Sequence, residues 1–327
     1  DTANALLSEI RNQTRFDPTQ YVKKKQSTYL FQNLIKAWLA DAERKVEQNE
    51  FAPGTLVIKK TFAHKYFLPY FQGEDIRRLK THDLTEFKQG LSVSGNYLNS
   101  IIAQLRSVFS YARNEELIRN VPRITTVKVQ EPSKTVLLLE EQDALIEQLG
   151  CHKPIFRFLK LTGCRPSMAR ALYRSDLNWK QRIIVFQHNY SGRKLTRVLK
   201  AGQILEFPMT DELYDLLSSI PANLRHRHVF INPITGKPYS HHITPILYRA
   251  CDKLGWPRIA VKNFCRHSFA TNLLADGTPI QFVSQLLGHR SVKTTEKSYA
   301  TARIEVLRKV LDKNYVKTMS KNENDQK

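Results

Sequence analysis

The chain has 327 residues, which is enough for two domains that each bury a core. Apolar residues make up 41% of it and charged residues 25%, a composition that excludes an intrinsically disordered chain. The 51 Lys and Arg against 30 Asp and Glu leave a formal net charge of +21, which predicts a polyanionic partner. Nucleic acid is favoured over an anionic membrane surface, because no stretch approaches 18 apolar residues.

Four cysteines occur singly, without a C-x-x-C pair: Cys151, Cys164, Cys251 and Cys265. This spacing predicts reduced thiols, and neither a structural zinc site nor a disulfide scaffold. We therefore expect an intracellular protein. The chain begins at Asp1 and not at Met, which leaves room for a further segment upstream.

The first region is predicted to be all-helical. Residues 1–26 are polar and predict a tail, or the linker from an absent preceding element. Apolar residues then recur at spacings of three and four from Leu30 to Leu39, which predicts an amphipathic helix that ends before Pro53-Gly54. Similar patterns continue, so a helical core-DNA-binding domain is expected over residues 27–122.

Cations are frequent at the polar positions of this helical region. They either bind a DNA backbone or form a solvated face, and the basic character of the whole chain favours DNA. The candidate DNA-binding residues here are Lys59, Lys60, Arg77, Arg78 and Arg106.

The second region is predicted to be mixed. Residues 123–136 lack a helical period and contain Pro132, which is typical of an interdomain linker. A second domain follows over 137–316, and a polar tail over 317–327. Its β-branched runs predict strands at 182–187, 196–199 and 204–207, the last two forming an antiparallel pair around a short turn. The fold class is therefore mostly α with a small antiparallel β-sheet.

Attack on a phosphodiester needs a nucleophile, cations to hold the charged oxygens and an acid for the departing oxygen. Acidic residues are not grouped in a spacing that would hold two metal ions, and no Gly-rich loop precedes a Lys-Ser or Lys-Thr pair. The sequence thus predicts no metal site and no cofactor.

Four short blocks supply these parts in order along the chain. They are Thr162-Gly-Cys-Arg165-Pro, Cys265-Arg266-His267-Ser268-Phe-Ala-Thr271, Leu287-Gly-His289, and Tyr299 ten residues further on. The blocks resemble the tyrosine site-specific recombinases, the phage integrase group that contains bacteriophage lambda integrase and the chromosome-dimer resolvases. The resemblance is specific over about residues 160 to 300 and looser over the first domain. It implies an all-helical SAM-like core-binding domain and a mixed α+β catalytic domain, closing as a clamp around duplex DNA.

The resemblance implies roles for two arginines and a lysine. Arg165 and Arg266 match the pair that binds the scissile phosphate, for which a planar guanidinium is suited. Without the other blocks, Arg165 would be interpreted as a surface charge, and Arg266 as a partner in a helix salt bridge. The general acid of the family lies eight residues before a proline, which selects Lys200 by counting back from Pro208. Arg193 and Lys194 are the nearby alternatives, as DNA contacts.

The resemblance also implies a ring donor and a nucleophile. His289 matches the position where a ring hydrogen-bonds the phosphate, although a histidine alone is more often structural. Tyr299 matches the nucleophile, which would form a 3′-phosphotyrosine bond without ATP or metal. The chain has 13 tyrosines, so this assignment depends on the spacing after Leu287-Gly-His289.

Two positions depart from the family pattern. Asn263, preceded by Lys262, stands where the family usually has a histidine, and it can donate a hydrogen bond without carrying a proton. Met168 stands where an acidic residue often supports the first arginine, so that support must come from elsewhere. We keep Asn263 among the candidate catalytic residues.

The function implied is a site-specific recombinase that integrates or excises a mobile element at double-stranded DNA attachment sites. The resemblance implies a homotetramer on DNA formed from monomers, with accessory DNA-bending or excision-directing proteins. An apolar stripe through Ile304 and Leu311 would dock on a neighbouring protomer or on its own domain. Two alternatives stay open: a type IB topoisomerase-like enzyme, and an accessory DNA-binding protein that has lost activity.

Overall fold

A computed structural model describes residues 29–129, 135–192, 194–196, 204–240, 243–289 and 291–299, without the side chains of 297–299. The chain divides into two compact units, and the division falls between Glu131 and Pro132. The predicted terminal tails, Arg193, Lys200 and the stripe through Ile304 lie outside the described residues. The predicted linker and domain limits stay predictions.

The described part of the first unit is helical. Its elements are α1 (Phe31–Glu47), α2 (Pro53–Phe62), a π-helical turn (Ala63–Phe67), α3 (Leu68–Phe71), α4 (Thr81–Gln89) and α5 (Gly95–Asn114).

The three- and four-residue spacing along α1 places one face of the helix in the core. Phe31, Leu34, Ile35 and Trp38 are at most 3% exposed, and the Phe31 ring lies 4.9 Å from that of Phe71. The chain then re-enters a helix at Pro53, whose fixed φ suits a first helical turn. The helical prediction for this region is confirmed.

The second unit adds a small sheet to helices. Its helices are α6 (Leu139–Glu147), α7 (Lys153–Thr162), α8 (Pro166–Ala171), α9 (Asp211–Ser219), α10 (Thr244–Lys253), α11 (Ser268–Ala275), α12 (Ile280–Leu286) and α13 (Val292–Tyr299). Short 3₁₀ turns cover Gly150–His152 and Arg174–Asp176, and a π-helical turn covers Asn263–His267. The strands are β1 (Leu177–Asn178), β2 (Ile183–Phe186), β3 (Asn189–Ser191), β4 (Lys194–Thr196) and β5 (Leu205–Pro208).

The sheet is antiparallel, as predicted, but one pairing differs. β5 pairs with β2, with Ile184 opposite Phe207, and β4 pairs with β3 in a separate hairpin. The prediction that residues 196–199 would pair with 204–207 is therefore wrong for Thr196. Ile184 and Phe207 bury their side chains on the same face, which selects the β2–β5 pairing, whereas β3 and β4 have no fully buried residue to gain.

The core of the second unit lies between the helices and the three-stranded sheet. It includes the rings of Phe156, Phe158 and Phe264, all essentially unexposed. All four cysteines lie in the described residues and are free thiols. Among the described residues, no helix is both long and apolar enough to cross a bilayer.

Candidate active site

Arg165 is presented by a sharp turn between two helices. α7 ends at Gly163, which has a left-handed φ of +57°. A Cβ at this position would lie 2.4 Å from the Phe269 ring, so only glycine fits. Arg165 then occupies the N-cap position of α8, without a side-chain capping hydrogen bond.

The Arg165 guanidinium is half-buried and weakly supported. Its Nη1 lies 3.9 Å from the Met168 sulfur, which is a poor acceptor. Burial lowers the pKa of the guanidinium from its ordinary value, but an arginine in a protein keeps its charge. Met168 therefore supplies packing where a carboxylate would supply a charge-assisted hydrogen bond.

Arg266 is 4% exposed and joins three segments of the chain. It lies in the π-helical turn, where Nη2 donates to the Leu287 carbonyl at 2.6 Å and Nη1 to the Gly163 carbonyl at 3.4 Å. Nη2 also contacts His289 Nε2 at 2.7 Å. The guanidinium is thus fixed by backbone carbonyls on both sides of the site, which is the arrangement of a preorganised cation.

His289 follows a second left-handed glycine. Gly288 has a φ of +61°, and a Cβ there would meet Leu205 of β5 at 3.1 Å. Burial, and then the charges of Arg266, Arg165 and Lys262, lower the pKa of His289 to about 4, so the ring is neutral at pH 7. Since an arginine only donates, Nε2 accepts, and the ring proton lies on Nδ1, 2.7 Å from the hydroxyl of Thr295.

Lys262 and Asn263 precede the arginine block. The backbone carbonyl of Asn263 accepts from the Ser268 hydroxyl at 2.8 Å, while its side-chain amide makes no hydrogen bond within the described part of the chain. Lys262 is close enough to depress the pKa of His289. The structure thus brings the charges of Arg165, Lys262 and Arg266 together around a neutral imidazole. Sequence reasoning noted Lys262 only as a neighbour of Asn263, and it missed Thr295.

Tyr299 is the last residue of α13, and its side chain is outside the described residues. Thr295 lies four residues earlier, on the same helical face. Cys164 and Cys265, which directly precede the two arginines, are fully buried, and burial raises their pKa values to about 11 and about 12. These thiols are therefore protonated at neutral pH and are not nucleophiles. Lys194 is exposed on β4.

Lys59 requires a correction among the candidate DNA contacts of the first unit. It is 7% exposed, with Nζ 3.9 Å from the centre of the Trp38 ring and 3.4 Å from the Ser107 hydroxyl. A side chain enclosed in this way cannot reach a phosphate. Helical spacing alone predicts an exposed side chain for Lys59. It does not reveal that α1 and α5 cover this position.

The other cations of the first unit are exposed, with different partners. Lys60 pairs with Glu43 at 2.6 Å, Arg77 forms a two-pronged contact with Asp75, and Arg106 donates to the Ile124 carbonyl. The Arg78 guanidinium is exposed and makes no hydrogen bond or ion pair among the described residues, although its charge contributes to the lowered pKa of Asp75. Among the three arginines of this group, Arg78 thus has the guanidinium with the fewest contacts within the protein.

Side chains that could share a metal ion meet at one place among the described residues. The ligand atoms of His82, Asp83 and Glu86 lie within 4.8 Å of one another at the start of α4. The group is on the surface of the first unit, and exposed acidic groups of this kind are common without an ion. We assign it no role.

The sequence profile of the phage integrase family matches residues 137–305, which is more than half of the chain. The chain belongs to the phage integrase family. It is therefore a tyrosine recombinase, as the four blocks predicted. Tyrosine recombinase XerD of Mycobacterium leprae is 26% identical over 262 residues, covering 72% of this chain and 82% of the relative. Tyrosine recombinase XerC of Listeria innocua is 28% identical over 228 residues, covering 65% and 73%.

Solved structures support the recombinase fold. The Tn1549 transposon integrase in complex with transposon right end DNA superposes with a TM-score of 0.66 at 18% identity, covering 84% of this chain and 98% of that chain. A lambda integrase dimer bound to a core site gives 0.66 at 14% identity, covering 90% and 85%. The mostly helical fold with a small antiparallel sheet is that of integrases.

Proposed function

We propose that this recombinase cleaves and rejoins DNA through a covalent bond between Tyr299 and the 3′-phosphate of the cut strand. The phenolate oxygen attacks phosphorus, the bond to the 5′-oxygen breaks, and Lys200 gives that oxygen its proton. Attack by a 5′-hydroxyl of another strand reverses the step and releases the tyrosine. The phosphoester energy is kept in the protein–DNA bond, so the chemistry requires neither ATP nor a metal ion.

The main support for this proposal is that three positive charges lie close enough to His289 to lower its pKa. They belong to Arg165, Lys262 and Arg266. Like charges that lie close together repel one another, so such a cluster is expected where an anion is bound. In the transition state of phosphoryl transfer, negative charge spreads over the equatorial oxygens, and fixed cations stabilise it at no reorganisation cost. Arg266 is held by the carbonyls of Gly163 and Leu287 and so meets this requirement.

In this scheme Arg165 and Arg266 hold the scissile phosphate, and His289 places it. Asn263 would donate a hydrogen bond to a phosphate oxygen, since an amide cannot exchange protons as an imidazole does. Lys194 and Arg193, on either side of the β3–β4 turn, would contact the DNA backbone. The exposed cations Lys60, Arg77, Arg78 and Arg106 would do so from the first unit.

The biological role we propose is integration or excision of a mobile element, with four protomers joining two attachment sites. The reaction would take place in the cytoplasm at the host nucleoid, with accessory DNA-bending or excision-directing proteins. A second role, resolution of chromosome dimers, is favoured by the similarity to XerC and XerD sequences. A plasmid carrying two copies of the element junction separates the two roles, because excision needs the junction and dimer resolution needs a chromosomal site.

A nicked substrate tests the proposed chemistry. A half-site with a nick near the cleavage point loses its short 5′ fragment after attack, which traps the covalent adduct. We expect the wild-type protein to form a denaturant-resistant adduct, and Tyr299→Phe to bind the same DNA without forming it. Absence of a wild-type adduct on the authentic site would leave the accessory-protein alternative ahead. Relaxation of plasmid DNA without recombinant product would favour the topoisomerase-like alternative.

A further inference from the structure

Thr295 is a fully buried residue on the helix that ends at Tyr299. We propose that Thr295 is a positioning residue, whose hydroxyl holds the ring of His289 in its orientation and ties the tyrosine-bearing helix to Arg266. This inference rests on the proposed function, since it concerns how the nucleophile and the phosphate-binding arginine are brought together.

The contact chain is short at each step. Arg266 Nη2 donates to His289 Nε2 at 2.7 Å, and His289 Nδ1 lies 2.7 Å from Thr295 Oγ1. Arg266 is itself anchored on the Leu287 carbonyl at 2.6 Å. Two hydrogen bonds thus join a cation of the candidate active site to α13, through a ring that is neutral at pH 7.

A hydroxyl is the one neutral group of this size that both donates and accepts. In the arrangement described, His289 donates from Nδ1 and Thr295 accepts. When a phosphate takes the Arg266 donor, His289 can present Nε2–H to a phosphate oxygen, and Thr295 then donates to Nδ1. The same threonine supports both tautomers without moving, so the ring keeps its orientation while the proton changes sides.

Helix geometry connects this contact to the nucleophile. Thr295 and Tyr299 are four residues apart on α13, so the two positions share one face of the helix, about one turn apart. The hydrogen bond between Thr295 and His289 therefore determines how this face of α13 is turned relative to Arg266. Loss of the hydroxyl leaves the Nδ1–H group of His289 without its acceptor and removes the polar link between the two segments.

The test compares variants that differ by one hydroxyl. Thr295→Val keeps the shape and loses the hydroxyl, and Thr295→Ser keeps the hydroxyl. Thr294→Val makes the same chemical change at the exposed neighbouring residue. We expect Thr295→Val to form the covalent adduct on the order of 10- to 100-fold more slowly than wild type, the range typical of lost support for an active-site histidine. DNA affinity should stay unchanged, and Thr295→Ser and Thr294→Val should stay close to wild type.

Nitrogen-15 NMR of the histidine rings gives a readout independent of activity. In the DNA-free protein we expect His289 to carry its proton on Nδ1, and Thr295→Val to shift the Nδ1–H resonance, because that proton loses its hydrogen-bond acceptor. A proton on Nε2 in the wild type, a wild-type adduct rate in Thr295→Val, or equal slowing in Thr295→Ser and Thr295→Val would each overturn the inference. If wild type forms no adduct, the proposed function fails, and the NMR result still decides whether Thr295 accepts the Nδ1 proton of His289.

Discussion

Lys59 carries its ammonium 3.9 Å from the centre of the Trp38 ring, inside the first unit. Burial, together with the charge of Lys45, lowers its pKa to about 8, against 10.5 for an ordinary lysine. The folded state therefore releases this proton more easily than the unfolded state. Below pH 8 the folded protein has to keep a charge in a poorly solvated place, which costs stability.

Replacing Lys59 with Met should remove this cost. We expect Lys59→Met to be more stable than wild type at pH 7 by about 1–3 kcal/mol. The advantage should be complete below pH 8 and shrink to nothing as the pH rises to about 10.5, because the unfolded lysine then also loses its proton. Urea unfolding at a series of pH values measures it. Lys60→Met, at the exposed neighbouring lysine, is the control and should not gain this stability at pH 7.

Arg266 makes directional contacts on three sides, and only a planar guanidinium can make them together. We expect Arg266→Lys to slow adduct formation on the order of 100-fold or more, as loss of a preorganised transition-state donor does. DNA affinity should change little, since most phosphate contacts lie elsewhere. Arg258→Lys, at an exposed arginine paired with Asp252, is the matched control and should react like wild type. Equal rates for the two variants would contradict the role of Arg266.

At the scale of the elements, two glycine turns bring the arginine and histidine segments together. Gly163 and Gly288 both have left-handed backbone, and both lie against another element, Phe269 in one case and Leu205 in the other. The Leu287-Gly-His289 block thus packs against β5 and also supplies the imidazole ring. Its glycine allows the loop to lie on β5, which brings His289 to Arg266.

Gly163→Ala should destabilise the second unit by about 2–4 kcal/mol, since it adds both backbone strain and a 2.4 Å clash with Phe269. Gly236→Ala is the control, because Gly236 has a similar φ of +65° but open space around it. That variant should lose about 1–2 kcal/mol, from strain alone. Midpoints of urea unfolding compare the two. If both variants lose the same stability, the Phe269 contact has no energetic weight.

Periodicity explains why some elements could be predicted and others could not. The spacing of Phe31, Leu34 and Trp38 defines a helix locally, and Gly163 marks a helix end within the sequence itself. The pairing of β2 with β5 depends on which strand faces can be buried together across some 20 residues, which local patterns do not encode.

The same limit applies to the candidate site. Blocks of sequence predicted Arg165, Arg266 and His289, and the structure brings them together. The bond from His289 to Thr295 and the approach of Lys262 arise from three-dimensional packing. A buried threonine has no distinctive spacing, so only its contacts reveal it. Burial of Lys59 was missed for the converse reason, since a basic residue on a helix is usually exposed.

At the scale of the whole molecule, the net charge of +21 predicts a strong electrostatic contribution to DNA binding. We expect affinity to fall steeply with salt, linearly on logarithmic axes. Arg78→Ala should reduce the slope by about 1, the effect of losing one phosphate contact. Arg77→Ala should reduce it less, because Asp75 already holds that guanidinium. Titrations by fluorescence anisotropy at several salt concentrations measure the slopes, and a nearly flat dependence would count against phosphate binding by this face.

Tyr299 is proposed to form the covalent bond to DNA. Mass spectrometry of the trapped adduct identifies the residue that carries the DNA. Digestion with trypsin and nuclease should leave a nucleotide remnant on the peptide from Ser298 to Arg303, in which Tyr299 is the tyrosine. We expect a phosphodiester-linked nucleotide on this peptide and none on the other twelve tyrosines. A remnant on a different residue, with the 298–303 peptide unmodified, would contradict it.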